Sequence, residues 1–175
     1  MNLEQIHKLA EEISSKYNPD KEAPFPYKNV LNDKSDLNIW YLDLEDDDVS
    51  GATLYRNDKF TILINTKKHE NRQHFTLGHE LGHYFLHQDI LKEKNGLIDG
   101  DSFLDGNKVL YRIDDHEKRN KIEKEANHFA ASLIMPASLV KKAWKANDNI
   151  EEIAQIFKVS TLAMSIRLTQ LGLVI

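Results

Sequence analysis

The chain has 175 residues, 41% hydrophobic and 29% charged, the balance of a globular domain large enough to bury a core. A net charge of −5 argues against a dedicated nucleic-acid binder, which needs a basic field. With no cysteine, thiolate metal sites and cysteine nucleophiles are excluded, so any metal falls to histidines and carboxylates.

Met1 to Tyr17 is charged throughout and lacks the apolar stretch of a signal peptide. No run approaches the ~18 apolar residues of a membrane span. A cytoplasmic protein without membrane contact is the expectation. Leu3, Ile6, Leu9, Ala10, Ile13 and Tyr17 recur at helical spacing and predict an amphipathic helix that Asn18-Pro19 ends. Residues 18–36 hold three of the four prolines and read as an extended or partly helical connection.

Leu37 to Leu44 is rich in β-formers and predicts a strand. The acidic run from Asp43 to Asp48 lacks the glycine and distal glutamate of an EF-hand and reads as a solvated turn. Gly51–Tyr55 and Phe60–Asn65, joined by the polar Arg56-Asn57-Asp58-Lys59, predict a hairpin.

A helix then spans about Glu70 to His87 and contains His79-Glu80-Leu81-Gly82-His83. Histidines four apart on a helix point the same way, separated by a rise of about 6 Å, so one ion can sit between them. Glu80, one residue past the first histidine, is placed to act as general base on the attacking water. Gly78 and Gly82 each cost about 1 kcal/mol relative to alanine in a helix interior. Another backbone packed closely against that strip is the expected compensation.

Residues 88–113 show no clear period, apart from a possible strand over Lys108 to Ile113. Asp114-Asp115-His116-Glu117 has the pattern of a capping box opening a helix to about Met135. Pro136 starts another helix to Lys145, and residues 149–171 hold two more, joined by a Val159-Ser160 turn. That tail is helix-turn-helix-like. These elements make an α+β fold in two parts, a core over 1–136 and a helical subdomain over 137–175 packed on it.

A catalytic zinc ion takes three protein ligands and keeps one open position. Glu117, Glu123 and Glu125 are the downstream carboxylates. Glu123 sits at the border of the buried face, lined by alanines, whereas Glu125 shares a side with His128 and Ser132 that reads as solvent-facing. Asn127, one turn after Glu123, can hydrogen-bond a ligand histidine and fix its tautomer. His87 lies about 12 Å along the axis from His79, too far to join a tetrahedral set. It reads as an exposed residue or as a support to the ligands. His79, His83 and Glu123 are the expected metal ligands, Glu80 the catalytic base and zinc the cofactor. Tyr111, His116 and His128 are candidates for a second electrophile.

Two blocks, residues 74–87 (HFTLGHELGHYFLH) and residues 123–136 (EKEANHFAASLIMP), resemble the signature stretches of the ImmA/IrrE family of metallopeptidases. The likeness runs from about residue 37 onward. It implies a minimal thermolysin-like core, with a small antiparallel sheet packed on the motif helix and a second ligand-bearing helix. It also implies the same roles for His79, Glu80, His83, Glu123 and Asn127. The substrate it implies is a helix-turn-helix repressor of the XRE type, encoded nearby, with no direct nucleic-acid contact. The competing class is a DNA-binding regulator that uses the tail. Against that reading, the would-be recognition helix has Arg167 as its one cation, and phosphate contacts need Lys and Arg.

Overall fold

The computed structural model describes residues 1–44, 48–99, 104–105, 108–109 and 116–174. Helix α1 (Leu3–Tyr17) opens with a reciprocal cap, Asn2 and Gln5 each bonding the other's backbone N–H, and buries Ile6, Ala10 and Tyr17. A short α2 (Lys28–Asp33) lies in the proline-containing connection and leads into β1 (Leu37–Leu42). Glu45, Asp46 and Asp47 of the acidic run lie outside the described residues.

Strands β2 (Gly51–Arg56) and β3 (Lys59–Asn65) form the expected hairpin, with Arg56 opposite Lys59. Asn57 and Asp58 between them both have positive φ, 51° and 59°. That is the two-residue turn whose twist suits adjoining strands, and the polar side chains of Asn and Asp tolerate it.

The sheet departs from the antiparallel expectation. Its order is β1-β3-β2-β4, and β1 pairs with β3 in parallel, Leu37 opposite Phe60 and Leu42 opposite Asn65. The chain reverses into β2 and again into β3, so β3 must run in the direction of β1. The tight hairpin keeps β2 and β3 adjacent, which leaves β1 the far side of β3.

Helix α3 (Glu70–Leu86) carries the histidine motif and crosses the sheet. The segment after it, without readable period in the sequence, is ordered into α4 (Gln88–Lys94) and the edge strand β4 (Gly96–Asp99). Asn95 and Gly96 make the corner, with φ of 59° and 138°. Of the strand expected over Lys108 to Ile113, β6 (Lys108–Val109) pairs with β5 (Leu104–Asp105); the remaining residues lie outside the described set, as do Asp114 and Asp115 of the expected cap.

Helix α5 (His116–Ile134) packs along α3 in the opposite direction, Gly82 against Ala126 and Gly78 against Ala130 and Ile134. The expected close backbone is present at Gly82, where a Cβ would stand 3.0 Å from the Ala126 Cα. At Gly78 the neighbours are side chains, including the Tyr27 hydroxyl.

Helices α6 (Ala137–Ala146), α7 (Ile150–Ile156) and α8 (Thr161–Gln170) complete the chain. Phe157, Val159, Met164 and Leu168 join the same buried apolar cluster as Leu81, Phe129 and Leu133. Arg167 is buried too, its Nε donating to the Met135 carbonyl at 2.9 Å and its guanidinium meeting Glu11 Oε1 at 3.3 Å.

Candidate metal centre

The close α3–α5 contact brings distant parts of the chain together. Nε2 of His79 and Nε2 of His83 are 3.0 Å apart. Glu123 on α5 reaches both, with Oε2 3.1 Å from His79 Nε2 and Oε1 3.5 Å from His83 Nε2. Tetrahedral donors about 2.1 Å from a shared ion stand about 3.4 Å apart. The three separations match that edge, and two imidazoles with one carboxylate form a donor set that suits zinc. Among the described residues, these three side chains are the group whose donor atoms all lie within 4.8 Å of one another and could hold a metal.

Both rings are set by partners on the side away from Glu123. His79 Nδ1 is 3.0 Å from Asn127 Oδ1; the carboxamide oxygen accepts from Nδ1–H, which leaves Nε2 with its lone pair. His83 Nδ1 is 3.0 Å from His87 Nδ1, and His87 Nε2 is 3.0 Å from Glu125 Oε2. The Glu125 carboxylate accepts from His87 Nε2–H, so neutral His87 presents Nδ1 as an acceptor and His83 donates to it. The His83 Nε2 lone pair then also faces Glu123.

This chooses between two readings and corrects a third. Of the two readings of His87, exposed or supporting, its burial against His83 fits the second, whereas Glu125, read as solvent-facing, is buried alongside Ser132. Glu125 is covered where it meets His87 just after α3, while His128 on the same stripe is half-buried.

The electrostatics favour neutral rings beside an ionised carboxylate. Burial pulls His83 down to about 4, against the hydrogen bond that a protonated ring would donate to Glu123, which raises it. Burial pushes Glu123 up, and hydrogen bonds and charge from His79 and His83 outweigh it and hold the carboxyl well below the usual range when their Nε2 atoms carry protons. In the neutral tautomers above, those lone pairs are free for a cation instead.

Glu80 is fully buried and points to the sheet, where Thr53 Oγ1 donates to its Oε2 at 2.7 Å. Gly51, at the start of β2, makes room for it. A Cβ there would stand 2.5 Å from Thr76 Cγ2 and 3.2 Å from Glu80 Oε1. Thr53 and Gly51 were not singled out in the sequence, because nothing in a strand's alternation says which helix residue its side chains will meet.

The cleft over the triad is lined by Arg72, Phe75, Thr76 and Asn127 with the two ligand candidates His79 and Glu123. Arg72 Nε donates to Ser50 Oγ at 3.1 Å. Sequence reasoning also missed Arg72, although it lies seven residues before His79, two helical turns back on the same face. Of the three electrophile candidates, Tyr111 and the side chain of His116 lie outside the described residues. His128 is half-buried with Nδ1 3.1 Å from Nε2 of His7.

The sequence model of Peptidase_M78, described as the IrrE N-terminal-like domain, matches residues 32–169. The chain belongs to that family. Metallopeptidase ImmA of Bacillus subtilis (strain 168) is 30% identical over 123 residues, covering 68% of this chain and 63% of that protein. The chain thus spans a little under two thirds of that relative's length. A solved structure of a Mycobacterium tuberculosis transcriptional regulator superposes with a TM-score of 0.63 over 94% of this chain and 47% of that one. At 15% identity that likeness speaks for the fold alone. The Peptidase_M78 match begins before β1 and runs through most of α8, so it takes in both motif helices and the helical tail. Among the described residues, no helix is long and apolar enough to cross a membrane.

Proposed function

We propose that this chain is a zinc-dependent endopeptidase that cuts a cytoplasmic protein substrate, a helix-turn-helix repressor of the XRE type. The reading rests on one observation above all: a carboxylate forty residues downstream of His83 stands within 3.5 Å of the Nε2 atoms of both histidines.

In this reading His79, His83 and Glu123 hold the metal, which when bound supplies Lewis acidity to a water molecule and to the scissile carbonyl. Glu80 accepts the proton of the attacking water and returns it to the leaving amine. The Thr53 hydroxyl, hydrogen-bonded to Oε2, fixes the carboxylate's direction. Asn127 and the His87–Glu125 pair hold the ligand rings in one tautomer. Arg72, in the wall of the cleft, fits the second electrophile that a developing oxyanion calls for. Residues 137–175 serve as a helical subdomain packed on the core through Phe157, Val159, Met164 and Leu168.

The repressor assignment draws on the resemblance of the two motif blocks. The rival DNA-binding reading loses support at α8, because its one cation, Arg167, is buried against Met135 and Glu11 and unavailable to phosphates.

The test is incubation of the purified, zinc-loaded protein with an XRE-type repressor, watching for a single cut. Glu80→Gln should retain the metal and cut nothing. Undiminished proteolysis by that variant would remove the mechanism. A salt-sensitive gel shift with duplex DNA, without cleavage, would favour the regulator.

A further inference from the structure

Next to the metal cleft is a second hollow that the chemistry above leaves unused. It is a cavity of about 220 Å³ walled by Phe75 of α3, Ala131 and Met135 of α5, and Ala163 and Ile166 of α8. Phe75 and Asn127 border both the cavity and the cleft, so the two spaces share a rim. The Asn127 end of that rim is one hydrogen bond, 3.0 Å, from the ring of His79.

The chemistry of the lining selects its occupant. Its wall comes from three helices and is mostly apolar, with Asn127, His128, Gln170 and Arg167 at its border. Arg167 is 1% exposed and already bonded to Met135 and Glu11, and His128, whose pKa burial lowers, is paired with His7. A charged guest would lose its water without gaining a free counter-charge. The volume falls below the ~300–1,000 Å³ of pockets for whole small molecules, so it suits one side chain. Ala131 and Ala163 set its depth, because their methyls leave space that a longer side chain would occupy.

We propose that this cavity is a specificity subsite that takes a large aliphatic side chain, such as leucine or methionine, flanking the scissile bond of the substrate. It rests on the peptidase reading. An extended peptide advances about 3.3–3.6 Å per residue with side chains alternating in direction. With its carbonyl over His79 and Glu123, a flanking side chain reaches the shared rim. The helical tail thereby reads substrate sequence, through Ala163 and Ile166, as one wall of the peptidase.

The test separates binding from turnover. Binding of hydroxamates bearing a glycine, alanine, leucine or aspartate side chain to the zinc-loaded full chain is measured by calorimetry. Cleavage-site profiling of a peptide mixture is run beside it. Leucine should outbind glycine by at least about 10-fold, the scale of aliphatic discrimination in apolar pockets. Ala163→Phe and Ala131→Leu fill the cavity from opposite walls, and each should erase that preference while leaving the glycine compound's affinity unchanged. Equal binding of leucine and glycine by the wild-type chain, or an intact leucine preference in both folded variants, overturns the subsite even where peptides are cut. A leucine preference lost in the variants, without any cleavage, upholds the subsite and overturns the peptidase reading. Failure of every hydroxamate to bind overturns both.

Discussion

The Cα of Ala126 stands 3.0 Å from the point where a Cβ on Gly82 would lie, and its carbonyl oxygen 3.1 Å from the same point. Glu123 sits one turn before Ala126 on the same helix, so this contact sets how closely the carboxylate approaches the two imidazoles. Gly82→Ala gains about 1 kcal/mol of helix propensity but meets backbone that cannot rotate away, an overpacking cost of about 1–3 kcal/mol. A net loss of order 1 kcal/mol in urea melts is expected, with weaker zinc retention. Gly78→Ala meets side chains at 3.1–3.4 Å, which can yield, and should be close to neutral. Equal effects of the two substitutions would count against the contact as spacer.

The Glu125–His87–His83 series predicts a change in metal affinity without a change of ligand. Glu125→Gln replaces an obligate acceptor with a group that can also donate to His87, so the tautomer of His83 is no longer dictated. Zinc affinity, measured by chelator competition, should fall by about 10–100-fold, the usual scale for an outer partner of a ligand histidine. Thermal stability of the metal-free protein should change little by comparison. Unaltered zinc affinity would refute the role.

Gly51→Ala should separate metal retention from cleavage. The new methyl would press on the side chains of Thr76 at 2.5 Å and Glu80 at 3.2 Å, while none of the three nearest atoms belongs to His79, His83 or Glu123. Zinc content should remain near one per chain. Cleavage should drop by about 10²-fold, as for a displacement of order 1 Å at a reacting group. Full activity would show that Glu80 does not depend on the strand beside it.

Glu123→Ala removes one of three donors. Zinc measured after dialysis should fall well below that of the wild-type chain, whereas Glu80→Gln should keep it. Retention of full zinc by Glu123→Ala would place the third ligand elsewhere.

His74 predicts a pH dependence of folding. Burial, with a smaller push from Lys158, lowers its pKa from 6.5 to about 4, and its Nε2 is buried without a hydrogen-bond partner among the described residues. Below pH 6.5 the unfolded chain binds a proton that the folded chain refuses until about pH 4. Stability is therefore whole above 6.5 and declines as pH falls towards 4, since the unfolded state then binds more protons. His74→Phe keeps the ring and removes the titration. Its melting temperature should fall less between pH 6.5 and 4 than that of the wild-type chain, and parallel curves would refute this.

Much of the molecule could be read before any coordinates. The hairpin followed from a polar pair between two β-rich runs, and α1, α3 and α6 from periodicity and caps. The segment after α3 was opaque because α4 and β4 are short and their corner depends on positive φ at Asn95 and Gly96. The parallel β1–β3 pairing was opaque because strand order is a choice among edges, and alternation within a strand does not encode its neighbour.

The pairing of the two histidines was written in local sequence: HExxH on a helix aligns two imidazoles through the pitch of that helix alone, and the two motif blocks point to the family. Folding decided what lies across the gap. Glu125 and Ser132 face inward, Thr53 and Gly51 frame Glu80, Arg72 enters the cleft wall and α8 lines the neighbouring cavity, because each of these depends on which surfaces of separate elements meet. Side-chain direction along one helix is fixed by covalent geometry and hydrogen bonding, whereas the approach of two helices is fixed by the packing of the whole core.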